Sequence, residues 1–250
     1  MIAAWLAGVP VRVYHIHGLP LVTATGLRRH LLWMSEWLSC HLSHQVLCVS
    51  DSVCDVAIKQ GICPAERIEV LGSGSIGGVD ARHRFNPASY DCVHVRKQYE
   101  LPQDALVVGY VGRVVHDKGI VELAQAWQTL RAEFENLHLL VVGPFEPQDP
   151  IPEYVRHTLR NDARVHLIGW TDDVSSLYAM MDLLILPTHR EGFGLVAIEA
   201  AAMALPTVAT RIPGCIDAVE DGVTGTLVPP RDVDALTNAV RDYLRDEDLR

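Results

Sequence analysis

Two carboxylates, Glu191 and Glu199, stand eight positions apart across the turn Glu191-Gly192-Phe193-Gly194-Leu195. The apolar run 181–187 precedes them and reads as a buried strand. The alanine-rich stretch 195–204 follows and reads as a helix. A strand, a short glycine turn and a helix N-terminus together present unsatisfied backbone N–H groups to an anion. Carboxylates repel phosphate, so two of them beside such a turn need another task. An ionised carboxylate only accepts hydrogen bonds, and a sugar or ribose diol supplies the donors. The pattern therefore points to a ligand containing both phosphate and sugar, a nucleotide sugar.

The cations for such a ligand lie in the segment 112–119, Gly-Arg-Val-Val-His-Asp-Lys-Gly, after the strand expected over 105–111. Arg113 offers a planar fork of donors and Lys118 a compact charge at the start of the next helix. In isolation they are two surface cations on a solvated turn. Beside the glutamate loop, on the same sheet edge, they could neutralise a diphosphate without a metal. His15 and His17 share one face of their strand, with no third metal ligand nearby. His15 reads as a core histidine. His17, at the strand's end and followed by Gly18, is better placed to face a ligand.

Two other patterns are set aside. Residues 72–77, Gly-Ser-Gly-Ser-Ile-Gly, spell a dinucleotide fingerprint, but no helix follows to carry its pyrophosphate. The run is read as a crossing between domains. Asp246-Glu247-Asp248 spells a metal-hook triplet, yet it sits in a charged helix tail away from any strand end. No metal is expected.

The elements that must position these groups alternate. The first part reads as strand 11–17, helix 25–41, strand 46–49, helix 53–60 and strand 67–71, with Ser50-Asp51-Ser52 supplying an N-cap. Residues 79–87 have neither periodicity and read as a linker. From 105 a second alternation runs through strands at 105–111, Leu137–Val142, 165–168, Leu183–Leu186 and 207–209. Helices are expected between them at 118–134, 152–161, 174–181 and 195–204, with a short turn of helix at 216–219 and a final helix at 232–250. Repeated strand–helix units with short loops predict a parallel sheet covered on both faces, with ligands at the carboxyl ends of its strands. The expected organisation is 1–84, a partial domain plus linker, and 85–250, a second domain.

With 250 residues and 49% apolar composition, the chain is globular. Its 21 basic against 31 acidic residues, a net charge of −10, argue against nucleic acid as a partner. Six scattered cysteines without a paired spacing read as core residues of a protein in a reducing cytoplasm. No apolar run reaches transmembrane length, and the apolar start lacks a basic leader. The helix 27–38 carries basic residues at one end and Trp33 and Trp37 a turn apart. It can lie on an anionic membrane surface or pack its tryptophans inside the domain. The chain reads as beginning and ending in mid-fold, that is, as a fragment.

The segment 112–119, the 183–187 strand, Glu191 to Glu199, and the runs 214–219 and 222–228 together resemble the retaining glycosyltransferases of family 4, of GT-B fold. The resemblance covers most of the chain and is strongest after residue 105. It implies an α/β protein with two Rossmann-like parallel-sheet domains, of which the N-terminal, acceptor-side one is incomplete here. The C-terminal domain would bind the donor. By that analogy Arg113 and Lys118 hold the diphosphate, while Glu191 and the amides of Gly192, Phe193, Gly194 and Leu195 contact the transferred sugar and phosphate. Glu199 accepts the ribose hydroxyls, and His17 stands beside the reacting sugar, so that Glu191 and His17 are the catalytic candidates. The chain departs from the family in lacking the initial strands and glycine-rich loop, and in having Gly77 where Asn is common.

The expected function is transfer, with retention and without metal or other cofactor, of a hexose from a nucleoside-diphosphate sugar, UDP foremost. The acceptor would be a saccharide or a lipid-linked sugar, in cytoplasmic surface-polysaccharide or glycolipid assembly, with peripheral contact at the inner face of the membrane. Two alternatives stand beside it: a UDP-sugar epimerase of the same fold, told apart by its free-sugar product, and a nucleotide-sugar-binding module without catalysis.

Overall fold

The computed structural model describes residues 1–250, which form two compact units. The first comprises Met1–Gly78, Arg190–Gly194 and Ile212–Ala218; the second comprises Val79–His189, Leu195–Arg211 and Val219–Arg250.

In the first unit, α1 (Ile2–Leu6), β1 (Val13–Ile16), α2 (Gly26–His41), β2 (Gln45–Cys48), α3 (Asp51–Lys59) and β3 (Ile68–Val70) follow one another. The strands form a parallel sheet in the order β1-β2-β3, with Tyr14 opposite Val46 and Val46 opposite Ile68. Ile16, Val46, Cys48, Val53, Ala57 and Cys63 make its core. Ser50 caps α3, accepting from the Val53 amide. All six cysteines are free. Burial pushes the Cys40 thiol up to about 12 and Cys48 to about 11, as inert core thiols require. Trp33 packs, donating from Nε1 to the Gln60 carbonyl at 2.9 Å, whereas Trp37 is exposed and stacks on His41. No helix is long and apolar enough to cross a membrane.

The second unit runs α4 (Cys92–Gln98), β4 (Leu106–Val111), α5 (Ile120–Glu133), β5 (Leu137–Val142), α6 (Glu153–Asn161), β6 (Val165–Gly169), α7 (Val174–Tyr178), β7 (Leu183–Leu186), α8 (Leu195–Ala202) and β8 (Thr207–Thr210). After α9 (Cys215–Ala218), which belongs to the first unit, come β9 (Gly225–Val228) and α10 (Val233–Arg245). Six parallel strands lie in the order β6-β5-β4-β7-β8-β9. Strand residues alternate between two cores. Leu139, Val141, Leu183 and Ile185 join Leu123, Trp127 and Val240 from α5 and α10. Leu140, Val142 and Leu184 join Tyr178, Ala200 and Met203 on the other face. A strand buried on both faces reads as a continuous apolar run, which is why these strands were legible in sequence.

Several elements differ from expectation. The helix expected from 118 begins at Ile120, because Gly119 takes a left-handed φ of 70° and Lys118 closes a preceding 3₁₀ turn. The unassigned stretch after 87 holds α4, capped by Asp91 accepting from the His94 amide. Strand β9 is short and was not anticipated. The last helix stops at Arg245, where the Asp246 side chain accepts from the amides of Asp248 and Leu249. The acidic triplet is thus a turn after the helix and not part of it. Residues 79–87, read as a linker, carry Phe85, which is buried and edge-on to Tyr178.

Candidate functional site

The strand order of the second unit reverses between β4 and β7. In open parallel sheets that reversal opens a crevice at the carboxyl ends of the two strands, where ligands bind. The loop after β4 carries Arg113 and Lys118, and the loop after β7 leads into Glu191.

The β4 loop is fixed by its apolar residues. Val114 and Val115 are each 1% exposed, and the Val114 amide donates to the Pro144 carbonyl at 2.8 Å. The Tyr110 hydroxyl donates to the Arg113 carbonyl at 2.7 Å. Arg113 itself is exposed and pairs with Glu146 at 2.8 Å, a partner that sequence reading missed. That pair is open to water, so an incoming diphosphate would compete for the guanidinium at little cost.

Within the second unit the two loops are stitched together. The His189 amide donates to the Asp117 carbonyl at 2.9 Å, and the Thr188 hydroxyl donates to the same oxygen at 3.3 Å. The Thr210 hydroxyl donates to the Thr188 carbonyl. A Cβ at Gly119 would overlap the Pro187 carbonyl, so only glycine allows this approach. Lys118, immediately before Gly119, is therefore held at the carboxyl end of β7. Below it His189 lies buried with Nε2 2.8 Å from Glu122 Oε1. Burial raises the Glu122 carboxyl, but the His189 hydrogen bond, a backbone amide and the charges of His189 and His116 together outweigh it and leave Glu122 below the usual carboxylate range.

Helix α8 opens with Leu195 and carries Glu199 one turn on. The Tyr178 hydroxyl donates to Glu199 Oε2 at 2.9 Å. Burial pushes the Glu199 carboxyl up, while the Tyr178 hydrogen bond and then Arg84 pull it back in part. One oxygen is thus anchored and the carboxyl remains half-buried.

The remaining expected residues, His17, Glu191, Gly192, Phe193 and Gly194, fall in the first unit. A Cβ at Gly192 would overlap the His17 carbonyl, so the glutamate loop and the end of β1 are in close contact. The Ser50 hydroxyl donates to the Gly192 carbonyl at 2.8 Å. Phe193 is buried, with its ring over Gly74 of the glycine run 72–77. Within that otherwise exposed run the Ser75 amide donates to the Val49 carbonyl at 2.6 Å. Asp217 accepts from the Ser52 amide at 3.0 Å and from the Ser52 hydroxyl, and Ser52 in turn accepts from the Gly214 amide at 2.7 Å. His15 and His17 lie ring against ring at 4.3 Å, and burial, then His17, lowers the His15 pKa.

Sequence reading missed Tyr178, Glu146, Glu122, His189 and Asp217. Each is distant in sequence from the group it serves, and none has a local pattern that betrays it. Only Ser50 and Ser52 left a signal, as the polar cap of a helix.

Against known proteins, residues 105–246 match the family described as glycosyl transferases group 1. The chain is 35% identical over 250 residues to the capsular polysaccharide biosynthesis glycosyltransferase CapM of Staphylococcus aureus, covering all of this chain and 65% of CapM. It is 25% identical to an Escherichia coli UDP-Gal:alpha-D-GlcNAc-diphosphoundecaprenol alpha-1,3-galactosyltransferase, over 96% of this chain and 61% of that protein. Its fold matches Anabaena HepE, solved with UDP and glucose, at a TM-score of 0.81 and 25% identity, over 99% of this chain and 65% of HepE. The chain therefore spans somewhat less than two thirds of these relatives, and its α/β architecture is that of GT-B glycosyltransferases. With more than half of its length matched, including both loops at the strand reversal, the chain belongs to the group 1 glycosyl transferases.

Proposed function

We propose that this chain carries the donor-binding machinery of a retaining hexosyltransferase that uses a UDP-sugar and acts in surface-polysaccharide or glycolipid assembly. The observation that carries the reading is the stitching of the β4 loop to the β7 loop at the strand reversal, which holds Lys118 at a fixed place. Lys118 and Arg113 neutralise the diphosphate. The helix-end amide of Leu195 and the loop amides of Gly192, Phe193 and Gly194 add donors to phosphate and sugar oxygens. Glu199, anchored by Tyr178 through one oxygen, accepts the ribose hydroxyls with the other. Glu191 accepts from the transferred sugar, and His17 stands beside the reacting carbon.

Charge that develops on the leaving diphosphate meets fixed cations and amides, so the chemical step runs without a metal in this scheme. Retention follows if the leaving phosphate takes the acceptor proton on the face it departs from. The acceptor is a saccharide or lipid-linked sugar, by likeness to CapM and the galactosyltransferase, and the protein works at the inner membrane surface of the cytoplasm.

A thermal-shift screen with UDP-, GDP- and ADP-sugars, followed by turnover with a lipid-linked saccharide acceptor, tests this. Stabilisation by the UDP series and formation of a glycoside are expected. Absence of any nucleotide-sugar response would overturn the reading.

A further inference from the structure

We propose that His116, Asp117 and His189 form a binding site for a single divalent transition-metal ion of the Zn²⁺ class. None of the three belongs to the donor-binding set, and the inference does not depend on that function.

The three side chains each bring one ligand atom within 4.8 Å of the others. Two imidazoles and a carboxylate are a borderline nitrogen–oxygen set that suits Zn²⁺ or Co²⁺ better than Mg²⁺ or Ca²⁺. His189 is the anchor. Its side chain is 3% exposed, and Nε2 lies 2.8 Å from Glu122 Oε1. A carboxylate there keeps the proton on Nε2, so Nδ1 carries a lone pair. That Nδ1 is buried and meets no protein hydrogen-bond donor. A buried acceptor without a donor is costly, and a carboxylate–histidine pair with its second nitrogen bare is the arrangement that prepares an imidazole for a metal.

His116 is on the exposed side, with its ring edge-on to His189 at 5.6 Å between centroids. Metal bonds of about 2.0–2.2 Å in a tetrahedron require ligand atoms about 3.4 Å apart. The exposed His116 side chain can close that gap by rotation, while Asp117 is already fixed through its backbone, its amide donating to Asp149 Oδ2 at 2.8 Å. Glu122 and Asp149 add negative charge around the site, which favours a cation. Three protein ligands leave a position open to water or another ligand. An ion here would add a second clasp between the two loops that the His189–Asp117 backbone bond already joins.

The test is titration of the chain with Co²⁺ alone, read by visible absorption and by Tm. We expect saturable binding of one ion, displacement by Zn²⁺, a rise in Tm, and no thiolate charge-transfer band. His116→Ala should abolish the binding while leaving the fold intact, because that side chain is exposed. His189→Ala should do the same, with circular dichroism reporting its folding. Glu122→Gln should weaken it by roughly 10- to 100-fold through loss of the orienting carboxylate. His83→Ala, in another exposed His–Asp pair, should bind as the parent does. Binding that survives His116→Ala, a thiolate band from cysteines such as Cys40 and Cys63, or no stoichiometric binding at all would overturn the proposal.

Discussion

The hydroxyl of Tyr178 reaches Glu199 at 2.9 Å, joining the end of α7 to the second turn of α8. Tyr178 is fully buried, so its hydroxyl has no water to turn to. Tyr178→Phe leaves the Glu199 oxygen without its donor at a cost of about 1–3 kcal/mol, measurable by urea unfolding. Because that hydrogen bond lowers a carboxyl already raised by burial, the variant's Glu199 should titrate higher still. The acid limb of UDP binding should then move to higher pH. An unmoved limb would detach Glu199 from the ribose.

Gly119 offers a sharper test of the loop clasp. Its φ of 70° costs an alanine about 1–2 kcal/mol. The overlap of a Cβ with the Pro187 carbonyl adds to this, so Gly119→Ala should lose more than about 2 kcal/mol. Gly222→Ala is the control: φ is 79° but nothing lies within 4 Å of the added carbon. It should show the conformational cost alone, and UDP affinity should fall only in the first variant.

Lys118→Ala and Glu191→Gln are expected to separate activity from folding. Loss of a charge-assisted hydrogen bond to the donor is worth about 1.5–3 kcal/mol, or roughly a 10- to 100-fold drop in kcat/KM. Unfolding free energy should change by less than about 1 kcal/mol. Normal turnover in either variant would remove that residue from the site.

Acid should weaken the second unit through a histidine pair. His138 Nδ1 and His166 Nε2 lie 3.0 Å apart on neighbouring strands β5 and β6. Burial, and then the charge on His166, lowers the His138 pKa below 6.5; burial lowers His166 likewise. The unfolded chain therefore binds more protons than the folded one below that pH. Stability is full above about pH 6.5 and is lost as pH falls toward the depressed values. His166→Gln should flatten the pH dependence of the urea midpoint between about pH 7.5 and 5.

The sequence by itself determined every strand except β9, and the residue types of the loops between them. Continuous apolar runs as short as Leu183–Leu186 read as strands buried on both faces, and β5 and β7 have the bounds expected of them. Glu191, Glu199, Arg113 and Lys118 could be named as candidates because residues at strand ends and at the helix start that follows obey local rules of glycine, cap and charge. Those rules are short-range. Lys118 read as the first residue of a helix because its helical character is local, whereas the approach of the left-handed Gly119 to the Pro187 carbonyl joins it to a residue sixty-eight positions away. Tyr178 under Glu199, Glu146 on Arg113 and Glu122 behind His189 were equally invisible, since each pairing spans 21 to 67 residues of chain. Side-chain type and spacing fix what a residue can do. Strand order and close backbone approach, which no local pattern encodes, decide which groups meet.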